Sequence, residues 1–234
     1  MAKPLTMHTV SSTCLERLTP QDFVFIETVL FGHQGGPPDS SLRSLLEDES
    51  ALLDILEQDK LFQAIIEIPF PLGISPDLYF FVLVRKSLQQ AEIEELRIAD
   101  YVAATLAQHA FGSPMSGASL AKPEVDFTYQ VDFLEAMEGL SDYDRFFLQV
   151  QCGNQFLVLT GLFPGFLEHR SARRGAPGLS YYESVARSAF LSAGEHPLAE
   201  EFDLRSIYPL LADCLGETRH ALNRMAEDYL FLGS

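Results

Sequence analysis

Apolar residues recur along this chain in blocks of roughly one helix length, several of them opened by a capping residue or closed by glycine or proline. Thr19-Pro20-Gln21-Asp22 supplies an N-cap, a proline at the first helical position and an early acid, ahead of Phe23 to Phe31 and a stop at Gly32. Ser50 opens a stretch through Ile66 in which Leu52, Leu53, Leu56, Leu61 and Ile65 form an approximately helical stripe, broken by Pro69, Pro71 and Gly73. Ser75-Pro76-Asp77 repeats the start signal before Leu78 to Gln90, and a further helix is predicted over Glu95 to Phe111. Tyr129 to Met137, a block opened by the capping-box-like Ser141-Asp142-Tyr143-Asp144, Ser180 to Ala193, Arg205 to Leu215 and Glu217 to Leu232 complete the inventory. The pattern predicts a mainly α fold: a compact multi-helix bundle in which 1–234 is a single globular domain. The small, polar stretch 112–123 is expected to be an exposed connector, and Gly35-Gly36-Pro37-Pro38 a loop.

Two runs also fit strands. Tyr79 to Val84 is short and apolar, and Phe147 to Gln151 with Gln155 to Thr160 flank a turn-like Cys152-Gly153-Asn154. Helix is the expectation at both, because each follows an N-cap signal and sits among helical neighbours.

Twenty-two residues from Phe146 to Leu167 carry no charge, and this stretch is the predicted central apolar helix. It has the length of a bilayer span, but Gln149, Gln151, Asn154 and Gln155 would need partners in hydrocarbon and Pro164 interrupts its end. No transmembrane segment is expected. On a helix, Phe147, Gln151, Asn154 and Val158 share one stripe, with Gln151 and Asn154 side by side. Buried amides need partners, which a ligand, backbone or neighbouring side chains supply. Gly153 is expected to permit close helix approach.

The uncharged stretch runs into the densest cationic patch, Arg170, Arg173 and Arg174, followed by Gly175-Ala176-Pro177-Gly178. The chain carries a net charge of −17, yet residues 153–193 carry +2, leaving −19 for the rest. That acidity argues against nucleic-acid binding, since phosphates would meet a repulsive field. With 47% hydrophobic residues the chain has ample material for a core. Cys14, Cys152 and Cys214 are odd in number and far apart, so neither a disulfide framework nor a zinc site is indicated, and Cys152 reads as a buried small hydrophobe. The N-terminal residues lack a signal-peptide pattern, and a cytoplasmic location is the default expectation.

Leu162-Phe163-Pro164, Glu168-His169-Arg170, Arg173-Arg174-Gly175-Ala176-Pro177-Gly178 and Tyr181-Tyr182-Glu183 resemble an uncharacterised group of helical bacterial proteins. The likeness is densest between about Ser141 and Phe190. It implies a helical fold and a bacterial cytoplasm, and carries no activity.

The sequence holds no phosphate-binding GxxxxGK[ST], no GxGxxG, no GxSxG and no HExxH. Glu217-Thr218-Arg219-His220 is its one ExxH; a carboxylate-bridged metal site needs a second, so no metal and no cofactor are expected. Glu168 and His169 are an acid–base pair in sequence, but adjacent helical residues do not face one another. The arginines are the best lead, because the guanidinium fork suits carboxylate and phosphate. Tyr181 and Tyr182 would add stacking or hydroxyl contacts. The opposing reading is an internal brace, with Glu183 and Arg187 as an ordinary i,i+4 pair. The expected function is a non-catalytic bacterial interaction or accessory protein. Its basic loop from His169 to Gly178, with Gln151 and Asn154 nearby, would contact an acidic protein segment or a small anion. The alternative is a helical ligand- or cofactor-dependent enzyme with a pocket lined by Gln151, Asn154, Glu168, His169 and the arginines. The sequence does not specify the oligomeric state.

Overall fold

The structure is a computed structural model that describes residues 13–32, 48–67, 73–110 and 139–230. The loop expected at 35–38, the connector at 112–123 and the helix expected at 129–137 lie outside the described residues. Among those described, twelve helices and no strand are present: α1 (Cys14–Arg17), α2 (Pro20–Phe31), α3 (Glu49–Leu56), α4 (Asp59–Glu67), α5 (Pro76–Gln90), α6 (Leu96–Ala110), α7 (Asp142–Leu162), α8 (Pro164–Arg174), α9 (Leu179–Glu195), α10 (Pro197–Glu201), α11 (Ile207–Asp213) and α12 (Leu215–Tyr229). Both strand-like runs are helical.

Local chemistry explains most of the boundaries. Thr19 and Asp22 form a reciprocal capping box at the start of α2, with Pro20 in its first turn. Ser75 and Ser141 accept from the backbone N–H three residues on, opening α5 and α7. The stripe beginning near Ser50 is cut in two. Asp48, not Ser50, is the N-cap of α3, because its carboxylate takes both the Ala51 N–H and the Ser50 hydroxyl. The chain then leaves the helix at Glu57 and restarts at Asp59.

Two helices share the centre. α5 is buried without interruption from Leu78 to Arg85, as a helix apolar all round must be. α7 buries residues along its whole length from Phe146 to Gly161. α9 has the broadest interface with α7, α6 with α5, and α12 packs against both central helices. The buried apolar side chains form one cluster from Cys14 to Met225.

Two glycines bring the α7 interfaces close. A Cβ on Gly153 would stand 2.7 Å from the Phe190 ring of α9, and one on Gly161 would stand 2.9 Å from Leu222 Cδ1 of α12. Over Gly153, Phe190 stacks on Tyr208 at 5.8 Å and meets Tyr101 edge-on at 6.1 Å.

The predicted central helix does not run through to Leu167. α7 ends at Leu162; Phe163, at φ −128° and ψ 45°, leaves the helix, and Pro164 begins α8. Proline has no N–H to continue the ladder and clashes with the preceding turn, but it suits the first turn of a new helix. The axis turns by 90°. No single helix among the described residues is long and apolar enough to cross a membrane; only the bent α7–α8 pair has the length and composition.

Gly153→Ala is expected to lose about 1–3 kcal/mol of stability in urea denaturation, through overpacking against Phe190. Combined with Phe190→Ala it should cost less than the sum of the two single changes. Full additivity would show that the close approach does not constrain the core.

Candidate functional site

The three arginines that follow the uncharged stretch do not form a loop. Arg170, Arg173 and Arg174 lie on α8, which ends at Gly175 in the left-handed conformation, φ 61° and ψ 23°. The sequence favours this end, since glycine takes the left-handed cap at little cost and cations suit a helix C-terminus. α8 is fastened by Leu167, which is 1% exposed, and packs on α7 and α9.

Helical periodicity of about 100° per residue sorts the rest of α8. Phe166, His169, Arg170 and Arg173 fall within an arc of about 100°. Glu168, the helix's lone acid, lies about 150° from the middle of that arc. Phe166 is 52% exposed and Phe163, at the bend, 39%. The Arg170 guanidinium lies over the Phe166 ring, 5.5 Å from its centroid, the geometry of a cation–π pair. His169 and Arg173 are exposed and make no hydrogen bond or ion pair with the described residues. The result is a convex face that joins apolar area to positive charge.

The other expected site residues lie elsewhere. Tyr182 is 1% exposed and packs on Phe156, and Tyr181 meets Tyr182 edge-on, so the stacking surface of Tyr182 is spent in the core. Asn154 is buried and accepts a 2.7 Å hydrogen bond from the Tyr101 hydroxyl, which satisfies its carbonyl without a ligand. Burial raises the phenol pKa of both Tyr101 and Tyr208, keeping them protonated donors. Gln151 is half-buried one turn earlier. Asn154 precedes the end of α7 by more than two turns, so the structure does not gather the amides with Glu168 and His169 into one pocket.

Bracing falls to different arginines. Arg219 of α12 donates to Glu183 of α9 at 2.9 Å, to Asn223 at 3.0 Å and to His220 Nε2 at 2.7 Å. Asn223 in turn donates to the carbonyls of Thr160 and Gly161 in the last turn of α7. Arg187 donates to the Ala212 carbonyl at the end of α11, while its i,i+4 approach to Glu183 is a loose 4.0 Å. Glu183 therefore pairs closely with Arg219, not with Arg187. Glu217 and His220 of the ExxH are exposed, and the Arg219 guanidinium sits on the imidazole nitrogen. Among the described residues, no three His, Cys, Asp or Glu side chains gather in a metal-binding arrangement.

Two further features bear on chemistry. An apolar recess along α2 is lined by Pro20, Gln21, Val24, Phe25, Thr28 and Gly73, a set without acid, base or thiol. Cys14 and Cys152 are buried; burial raises both thiols, that of Cys152 to about 12, which keeps them un-ionised and poorly nucleophilic. Sequence reasoning overlooked Phe163 and Phe166, although starting a helix at Pro164 would have placed Phe166 in register with Arg170 and Arg173. Family models, curated proteins and solved structures yield no match to this chain.

Arg219→Ala is expected to cost about 3 kcal/mol or more, because it leaves the largely buried Glu183 carboxylate without its close partner. Arg173→Ala should stay within about 0.5 kcal/mol of the parent. Equal losses in denaturant melts would erase the distinction between brace and face. In the native protein, Cys14 and Cys152 should resist a thiol reagent at mildly alkaline pH and react once denaturant is added; rapid native labelling of Cys152 would contradict its burial.

Proposed function

We propose that this is a non-catalytic interaction or accessory protein of the bacterial cytoplasm, which binds an acidic protein segment through the Phe166–Arg173 face of α8. The observation that carries this reading is the exposed face itself: aromatic area and arginine charge combined on one helix stripe, with Arg173 unpaired among the described residues. In a chain of net charge −17, an arginine near so many carboxylates usually finds an internal partner. Aromatic residues and arginine are the side chains that dominate protein interfaces.

A small anion fits less well. Such sites collect convergent donors, often at a helix N-terminus, whereas the arginines of this face sit in the C-terminal half of α8, toward its partially negative end. Nucleic acid is disfavoured by the −19 carried outside residues 153–193. The enzyme alternative has the weaker support, since Asn154 is satisfied by Tyr101 while Glu168 and His169 project from a separate exposed helix.

A photo-crosslinking benzoylphenylalanine in place of Phe166 is expected to capture an acidic protein in cells, and the same group in place of Glu168, exposed and about 150° around α8 from that face, is not. Capture should fall on the order of tenfold in the Arg170→Glu/Arg173→Glu variant, with its helical circular dichroism unchanged. Crosslinking that ignores the charge reversal, or that is equal from both positions, would defeat the proposal.

A further inference from the structure

The start of α7 carries an aromatic strip that the α8 reading does not use. Tyr143 and Phe147 stand about one turn apart with their rings 4.6 Å from each other, and Phe147 meets Phe202, just past α10, at 5.9 Å. Phe146 closes the strip on its buried side, stacking on Phe202 at 6.0 Å with 9° between the ring planes. Exposure rises outward along these rings, from the buried Phe146 through the half-buried Phe147 and Phe202 to Tyr143, which is 48% exposed. The core holds the inner rings in place and leaves the outer one with much of its aromatic surface in water.

We propose that this end of the bundle is a second interaction surface, which binds a basic protein segment by seating an arginine on the Tyr143 ring. It is separate from the acidic-partner face, because the 21 residues of α7 put about 30 Å between its two ends.

The sign of the partner follows from the charges beside the strip. Asp142 and Asp144 flank Tyr143 in the chain, and Glu201 precedes Phe202. Glu201 is exposed and, like Asp144, makes no ion pair with the described residues. Asp144 accepts the Ser141 hydroxyl at 2.6 Å, which leaves its charge unneutralised. Asp142 has only a loose 3.9 Å approach from Arg145, a residue about 160° around α7 from Tyr143. The next acids along already hold close cations: Glu200 pairs with Arg205 at 2.7 Å and Asp203 with Arg97 at 3.0 Å. The carboxylates beside the rings are the ones without such a partner.

Rings and carboxylates together select arginine. An aromatic face attracts a cation through its quadrupole, and a planar guanidinium lies on the ring while its fork turns to a carboxylate. A lysine ammonium is a point charge and lacks both the plane and the fork. A purely apolar segment would cover Tyr143 but strip water from Asp144 and Glu201 without compensation, and an acidic segment would be repelled.

The probe is a synthetic alanine–glutamine peptide carrying two arginines, titrated into the full-length protein and followed through backbone amide resonances. Shifts are expected to concentrate at Tyr143, Phe147 and Phe202. Tyr143→Phe should retain binding, whereas Tyr143→Leu, which keeps apolar area but loses the ring, should weaken it on the order of tenfold. Asp144→Asn/Glu201→Gln should weaken it and flatten its salt dependence, and the peptide with citrulline in place of arginine should not bind. Shifts spread evenly over the acidic surface, equal affinities for Tyr143→Phe and Tyr143→Leu, or no binding would overturn the proposal. Concentration-dependent self-association in sedimentation, lost in Tyr143→Leu, would assign the strip to a second copy of this chain and also overturn it. None of these variants alters Phe166 or Arg173, so the α8 reading stands or falls on its own crosslinking result.

Discussion

The missing side chains at Gly153 and Gly161 set the geometry on which the rest of the molecule depends. At one, the Phe190 ring occupies the space a Cβ would take; at the other, Leu222 does. These approaches bring α9 and α12 against α7 closely enough for polar stitching. Asn223, next to Leu222, reaches the carbonyls of Thr160 and Gly161, which a helix end otherwise leaves without partners. Arg219 ties that asparagine to Glu183 on α9. The last turn of α7 is therefore held from two sides just before Phe163 and Pro164 turn the chain by 90°. The outward face of α8 is presented from a fixed base.

The arginines divide by environment. Arg17 meets Asp77 at 2.7 Å and Arg85 meets Glu57 at 2.6 Å, both with little exposed guanidinium, and Arg219 meets Glu183 in the same way. Each joins segments distant in sequence, and removing Arg17 or Arg219 would leave a partly buried carboxylate without its close partner. Arg173 stands apart from this set, exposed on the stripe that also shows Phe166 and His169. The brace exists, and Arg17, Arg85 and Arg219 build it.

Local signals carried most of the fold. Thr19-Pro20, Ser75-Pro76 and Ser141 open helices where their capping chemistry predicts, and Gly153 admits a neighbour as expected. Ser50 failed as a cap because the helix starts two residues earlier at Asp48, which takes the Ala51 N–H, and the Ser50 hydroxyl itself donates to Asp48. The site was less legible. Proline at 164 reads as an ending, and only its second role as a first-turn residue reveals α8 and the register of Phe166 with the arginines. The partners of Asn154 and Arg219 lie 53 and 36 residues away, so no spacing rule links them. Tyr181 and Tyr182 are adjacent in sequence, and nothing local indicates that Tyr182 turns into the core.

The central claim is that Arg173 of α8 faces solvent while Arg17, Arg85 and Arg219 brace the interior. The most direct measurement is hydrogen exchange at the arginine Nε–H groups of the free protein, followed by nuclear magnetic resonance. Arg219 and Arg85, whose Nε–H groups are bonded to Glu183 and Glu57, should exchange slowly, and the Arg173 Nε–H should exchange at the rate of a solvated side chain. Slow exchange at Arg173, matching that of Arg219, would show it bound within the protein and would contradict the account.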